Sequence, residues 1–292
     1  MKTGVIDIGS NSVRMAWLNG QPSLGCMPEE RLRYSRLAEN ATATGRLSEA
    51  PIQRTIEAVD SLLAEAQQND VEIRRISSTS VLREATNSAD AKLQMEAALG
   101  RSITILQGCE EARYSYEGAV YGLQTAEKQT AVLDVGGGST ELCWGTHATQ
   151  SESVPVGAVR LKEASNQIGP LPQALAPLSL HAPKGEAVRL IGVGGTLTTM
   201  AAIFEEMVDY QAMRIHQKTY QRLRIEALHK QLKALSLSER MEQFPMLKKG
   251  RADIMCEGLE IVLTLMQALN TEQITISTTD LLFGQLLDLY HA

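Results

Sequence analysis

The chain has 292 residues, a formal net charge of −6, 43% hydrophobic residues and only 4% aromatics. That length exceeds the usual size of one hydrophobic core, so two domains are expected. The low aromatic content excludes a base-stacking platform for a nucleic-acid polymer, and the acidic balance excludes a uniformly basic surface, so a polyanion would bind through a local cleft or through metal ions.

No apolar run reaches membrane-span length, and Cys26, Cys109, Cys143 and Cys256 show no metal-ligand spacing. A reduced cytoplasmic chain without a membrane partner is the expectation. Taken in order, "TGVIDIG" predicts a buried strand and turn, and "SVRMAWLNG" a second strand closed by an Asn-Gly hairpin turn. Residues 22–47 carry no clear pattern. Ser48 as N-cap and Pro51 in the first turn open a long amphipathic helix. "VEIRRISSTS" is strand-like. "VLREATNSADAKLQMEAALG" predicts helix, a break near Asn87 and a second helix. "SITILQG" is a short strand, and "CEEARYSYEGAVYGL" a helix.

The second half repeats the theme. "QTAVLDVGGGSTELCWG" predicts strand, glycine turn, strand, and "SESVPVGAVRLKEA" runs on toward a helix. Residues 165–185 predict a loop with at most a short helix. "AVRLIGVGGTLTTMAAIF" is strand, glycine loop, helix. Leu and Ile fall at helical spacing over 219–243 and again over 251–269, which suits a homodimer interface or a purely internal role. "EQITISTTD" is the last strand and "LLFGQLLDLY" the last helix. The pattern is α/β, with domains at 1–125 and 126–292 and the last helix free to pack back onto the first domain.

An internal repeat sharpens this. "VIDIGSNSVR" (5–14) and "VLDVGGGSTE" (132–141) share a frame in which Asp7 matches Asp134, Gly9 matches Gly136 and Ser12 matches Ser139. At one offset the copies differ, Arg14 against Glu141. Two such strand–Asp–turn–strand units can face each other across a cleft. Each turn then offers backbone N–H groups to phosphate oxygens, and each Asp can hold a divalent ion or position water. Ser10, Asn11 and Ser12 supply the first turn; Gly136, Gly137, Gly138 and Ser139 supply the second. "GVGGTLTTM" places Gly194, Gly195 and Thr196 at a helix N-terminus, a third anion-favouring element.

These stretches, with "SSTSVLREATN", "GCEEARYSYEG", "VPVGAVRL" and "KGRADIMCEGLEI" in the same order, resemble the exopolyphosphatase / guanosine-pentaphosphate phosphohydrolase family in its short, two-domain form. That family lies within the actin-like, sugar-kinase and Hsp70 superfamily. The resemblance implies two actin-like (ribonuclease H-like) α/β domains flanking a cleft. It implies Mg²⁺-dependent hydrolysis of a terminal phosphoanhydride, with inorganic polyphosphate or guanosine pentaphosphate as substrate. It further implies that Glu111, or alternatively Glu110, is the catalytic acid, with Glu141 as the second. Asp7, Asp134 and Glu141 become the metal-side acids and Arg83 a phosphate-gripping guanidinium, against the plainer reading of an Arg83–Glu84 ion pair. The stretch "STTDLLFGQLL" (277–287) departs from the family's "SDxGLREG"-like pattern, with Leu282 and Phe283 where a charged pair is usual. An ATP-using kinase-like enzyme and a non-catalytic polyphosphate or alarmone binder are the rival readings.

Overall fold

Two sheets organise the chain, and an Asp-bearing strand lies at the middle of each. The computed structural model describes residues 2–291 except 24, 25, 126–128, 147, 149 and 186. The first half contributes β1 (Lys2–Ile8), β2 (Ser12–Asn19), β3 (Glu29–Tyr34), α1 (Ala41–Thr44), α2 (Glu49–Gln68), β4 (Val71–Ser78), α3 (Ser80–Glu84), α4 (Ser88–Leu99), β5 (Thr104–Ile105) and α5 (Gly108–Leu123). Next come β6 (Thr130–Val135), β7 (Thr140–Trp144), β8 (Gln150–Val154), α6 (Ala158–Ile168), α7 (Leu171–Leu180), β9 (Arg189–Val193) and α8 (Gly194–Phe204). The chain closes with α9 (Ala212–Ile215), β10 (Thr219–Gln221), α10 (Arg222–Ala234), α11 (Leu237–Gln243), a 3₁₀ turn (Pro245–Lys249), α12 (Met255–Ala268), β11 (Gln273–Ile276) and α13 (Leu281–His291).

The first sheet has the order β3-β2-β1-β4-β5 and the second β10-β11-β9-β6-β7-β8. Apart from the added edge strand β10, the second sheet repeats the first: three antiparallel neighbours, then parallel strands reached through helical crossovers. Two α/β domains built on a repeated sheet are the arrangement that the family resemblance implied. The repeated frame is also a repeated register. Asp7 pairs with Arg14 across β1–β2, and Asp134 with Glu141 across β6–β7. The residue that differs between the copies therefore sits directly beside each Asp. Paired strand residues share a face, so the charge at that place is set independently in each domain.

Each sheet buries its own core. In the first domain Ile6, Ile8, Met15 and Trp17 pack with Ile56, Val59 and Leu62 of α2. In the second, Leu133, Leu142 and Leu190 pack with Leu197 of α8 and with Leu259, Val262 and Leu265 of α12. The apolar stripes of α10 and α12 are spent here, with Ile225, Leu228 and Leu232 joining the same core.

Two helices cross between the domains. α5 lays Ala112, Tyr116 and Ala119 on Val132, Cys143 and Ile191 of the second sheet. α13 lays Leu282, Phe283 and Leu286 on Val5, Ala16 and Leu18 of the first. By packing, then, α5 covers the second sheet although it precedes residue 125, and α13 covers the first. The expected division at 125/126 abuts residues 126–128, which lie outside the described residues. At two glycines the backbones come close: a Cβ on Gly118 would lie 2.2 Å from the Asp280 carbonyl oxygen, just ahead of α13, and one on Gly284 2.0 Å from that of Tyr114.

Several local expectations are corrected. Asn19-Gly20 does not close a tight hairpin; β2 and β3 pair, but their connection spans 20–28. The unplaced stretch 22–47 contains β3, a strand masked by alternating charges. Residues 150–154 form the third antiparallel strand rather than leading straight to a helix. The stretch 165–185 contains the ten-residue α7, which tolerates Pro177 inside it because its apolar face, with Leu171, Leu175 and Leu178, is buried. The periodic pattern from 251 becomes helix only at Met255. Asn87 does mark a break: its side chain accepts from Leu47 N–H (2.8 Å) and donates to Leu47 C=O (2.9 Å), so it serves the neighbouring loop instead of a helix.

Candidate active site

The two Asp-bearing turns face each other across the domain interface. In each, the first Gly N–H donates to a Ser carbonyl three residues on, Gly9 to Ser12 and Gly136 to Ser139, both at 3.0 Å. The carbonyls of the turns point away and are used. Ser10 and Asn11 C=O accept from Ala38 and Arg36 N–H, while Gly136 and Gly137 C=O accept from Ala158 and Val159 N–H at the start of α6. The N–H groups of Ser10, Asn11, Gly137 and Gly138 find no acceptor among the described residues. Donors left inward and acceptors satisfied outward make an anion-binding concavity from each turn.

Two of the three consecutive glycines, Gly137 and Gly138, are explained by space across the interface and not by backbone freedom; a Cβ on Gly136 would meet only the Ser139 carbonyl of its own turn, at 3.1 Å. None of Gly136, Gly137 and Gly138 has positive φ. A Cβ on Gly137 would lie 2.9 Å from Ser10 Cβ of the opposite domain, and one on Gly138 2.5 Å from Ser80 Oγ. Only a run without side chains lets the two turns come this close.

Between them lies a cavity of about 70 Å³ lined by Asp7, Ser10, Asn11, Ser12, Arg14, Ser80, Glu111, Asp134, Gly136, Gly137, Ser139, Gly194, Gly195 and Arg251. Gly138 lines the adjoining cavity with Glu84 and Arg160. Thr196 does not reach the cavity: it is 2% exposed, its hydroxyl points to the Val135 carbonyl, and its side chain fills the space over Gly258. Gly194 is a residue whose φ of +84° matters. Its backbone passes so close to Asp134 that a Cβ would lie 2.4 Å from Oδ1.

The first turn of α5 separates the two adjacent glutamates, as helical geometry requires. Glu110 turns back and accepts the Gln107 N–H at 2.8 Å, closing a capping box. The structure thus spends Glu110 on the helix end and does not bring it to the cavity. Glu111 is buried and faces inward. Arg83 donates to it at 3.0 Å and to the Leu106 carbonyl at 2.8 Å, with Glu84 at 3.7 Å. Arg83 therefore orients Glu111 and is not among the residues lining the cavity. Glu141 is 1% exposed; Ser153 donates to its Oε1 at 2.8 Å while Oε2 has no partner.

Four carboxyls, three buried and Asp134 half-buried, gather with few compensating charges, and each is shifted accordingly. Burial pushes Asp7 to about 7, Asp134 to about 6 and Glu141 to about 8, against Arg14 for Asp7 and despite a hydrogen bond from Ser115 for Asp134. Burial and the neighbouring Glu141 raise Glu111 well above the usual carboxylate range, with Arg83 opposing. Desolvation and mutual repulsion raise the proton affinity of these acids, so that a carboxylate of the group, in its ionised form, is a stronger base toward water than an exposed one.

Among the described residues no group of three His, Cys, Asp or Glu side chains converges to hold a metal by itself. The donor set still suits a hard divalent ion shared with a substrate. Asp7 Oδ1 and Glu141 Oε2 are buried without partners, and Mg²⁺ commonly takes one or two carboxylates plus phosphate oxygens.

Two residues at or beside the cavity were not assigned from the sequence. Arg251 lies over Gly195, where a Cβ would be 1.8 Å from its Nη2. It forms no ion pair among the described residues and reaches the cavity as a spare cation. Its signal was an Arg in a turn, "KGRAD", ahead of the periodic helix. Asp280 is 3% exposed and pairs with Arg14 at 2.5 Å, and its other oxygen accepts the Leu282 N–H of α13. Nothing local in "STTDLL" marks it out.

The family model described as the Ppx/GppA phosphatase family matches residues 5–292. The chain is 29% identical to exopolyphosphatase 2 of Mycobacterium tuberculosis, over 99% of this chain and 98% of that protein. It is 26% identical to the guanosine-5'-triphosphate,3'-diphosphate pyrophosphatase of Aeromonas salmonicida, covering 93% of this chain but 56% of that longer protein. The solved Aquifex aeolicus PPX-GPPA enzyme superposes with a TM-score of 0.77 at 26% identity, over 99% of both chains. An exopolyphosphatase-like protein at 22% identity superposes with a TM-score of 0.86 and supports the fold. No helix among the described residues is long and apolar enough to cross a membrane.

Proposed function

We propose that this chain, which belongs to the Ppx/GppA phosphatase family, releases phosphate from the end of a phosphoanhydride chain by attack of water. Inorganic polyphosphate is the first substrate, as the name of the Mycobacterium tuberculosis relative indicates for that protein, and the 5′-phosphate of guanosine pentaphosphate is the second. The observation that carries the reading is the pairing of two inward N–H turns with a buried Glu111 across one small cavity.

The roles follow from position. The N–H groups of both turns and Arg251 hold the terminal phosphoryl oxygens and offset charge as the bond breaks. Glu111, oriented by Arg83, accepts the proton of the attacking water. Glu141 keeps the proton affinity of Glu111 high through its proximity. Asp7 and Asp134 are the side chains that would hold Mg²⁺, and the ion would supply positive charge to offset that of the phosphate oxygens. Asp280 pairs with Arg14 and keeps that guanidinium beside Asp7.

The test is phosphate release from tripolyphosphate, long-chain polyphosphate and guanosine pentaphosphate, with Mg²⁺ and with chelator. Release from at least one, lost with chelator, is expected. Tight binding without turnover under all divalent ions would instead favour a sensor. ATP-dependent phosphorylation of a small acceptor would favour a kinase-like enzyme.

A further inference from the structure

Residues 250–254 lie between the 3₁₀ turn and α12 of the second domain and carry Arg251 into the cavity. The first domain fastens this segment at four points. The Asn11 side-chain amide, on the first phosphate turn, donates to the Gly250 carbonyl at 3.4 Å. The Tyr34 ring of β3 lies against Gly250, where a Cβ would be 3.0 Å from Cγ. Arg36 pairs with Asp253 at 3.2 Å. Ile254 is buried in the core of the first domain.

The second domain holds the same five residues from its own side. Arg240 donates to the Ala252 carbonyl at 3.2 Å, and Lys162 pairs with Asp253 at 2.7 Å. Gly250 has φ of +93°, a region that favours glycine, so both its conformation and the ring beside it call for a residue without a side chain. The turn sends the Arg251 guanidinium over Gly195 of the second domain, while the backbone that carries it is fastened to the first.

That division matters because Arg251 makes no ion pair among the described residues. A long side chain loses rotamer freedom when it is placed. With no carboxylate to hold the guanidinium, its position depends on the backbone beneath it. A cation fixed before the ligand arrives binds at a lower ordering cost.

We propose that Tyr34 and Arg36 of the first domain are positioning residues for Arg251. They fasten the 250–254 segment, and the guanidinium is set for a phosphoryl group only when the two domains close on it. Neither side chain lines the cavity itself. The inference rests on the phosphoanhydride reading for the ligand of Arg251 and adds the residues that place it. Arg36 shares a neighbouring cavity with Lys162, so a direct pull of Arg36 on a polyanion is the competing explanation.

A double-mutant cycle separates the two. Calorimetric binding of tripolyphosphate is measured with Mg²⁺ in the Glu111→Gln chain, where turnover is slow. Arg36→Gln should lower affinity by roughly 3-fold, the scale of one half-exposed ion pair, and Arg36→Lys should restore most of it. Tyr34→Ala should lower it by roughly 5- to 10-fold, with Tyr34→Phe retaining most of the affinity, as expected when the ring packs. In an Arg251→Ala background each loss should shrink to less than roughly 2-fold. Without any ligand, hydrogen–deuterium exchange at 250–254 should rise roughly 5-fold or more in Tyr34→Ala, with β1 and β6 unchanged. Losses that persist undiminished in Arg251→Ala, or exchange at 250–254 that ignores Tyr34→Ala, would overturn the proposal. No tripolyphosphate binding in any chain, with exchange at 250–254 still governed by Tyr34, would overturn the phosphoanhydride reading and leave the placement of Arg251 standing.

Discussion

Replacing Asp7 by asparagine should change stability in a pH-dependent way that exposes the strain of the buried acids. Asp7 is 5% exposed, its Oδ1 lacks a partner, and burial raises its carboxyl from 3.8 to about 7. The folded chain therefore holds this proton more tightly than the unfolded chain does. The stabilisation from that proton is complete below about pH 4 and is lost as pH rises through about 7. At about 1.4 kcal/mol per tenfold, the gap sets a ceiling of about 4 kcal/mol above that range. Local relaxation and water entry should leave roughly half. Asparagine cannot ionise, so it escapes this loss. It introduces a buried amide N–H₂ without an evident acceptor, costing about 1–3 kcal/mol at every pH. The net expectation is that Asp7→Asn is destabilising by about 1 kcal/mol near pH 5. Near pH 8 it is neutral or slightly stabilising, a swing of about 1–2 kcal/mol. Urea unfolding of both proteins at the two pH values, with chelator present, measures this directly. A stability difference that is constant with pH, or that shifts against Asp7→Asn as pH rises, would refute the argument that Asp7 is strained when charged.

Four further outcomes follow from the same geometry. Glu111→Gln should lower kcat by about 10²-fold or more with a small change in KM, whereas Glu110→Gln should keep turnover and cost about 1 kcal/mol in thermal stability through its cap; near-wild-type turnover in Glu111→Gln would remove its assignment. Because Glu141 raises the Glu111 carboxyl, kcat should fall on acidification, and Glu141→Gln should move the midpoint of any remaining activity to lower pH in a pH–rate profile. Gly195→Ala places a methyl in the Arg251 guanidinium and should raise KM for phosphate substrates by roughly 10-fold, the scale of one lost charged hydrogen bond. Gly284→Ala forces α5 and α13 apart at the Tyr114 carbonyl and should destabilise the fold by about 2–3 kcal/mol in denaturant titration, an effect absent if the helices can slide.

The sequence by itself determined the strands that run into Asp-x-Gly turns, the repeat that pairs Asp7 with Asp134, and the helices whose apolar spacing is uninterrupted. Those features are local: periodicity and turn chemistry act over a few residues. It left β3 and α7 unread, because the charges of "EERLRY" and Pro177 obscure patterns that burial later rescues. It also could not divide Glu110 from Glu111; adjacency says only that they diverge, and the capping box with Gln107 decides which one turns away. Only the tertiary structure made Arg83 a partner of Glu111 and brought Arg251 over Gly195. It likewise set Asp280 against Arg14, a pair far apart in the chain. The three glycines at 136–138 show why. Their composition announces that something must come close, but what comes close is Ser10 and Ser80 of the other domain, and the meeting of two separately folded turns is a property of packing that no local pattern encodes.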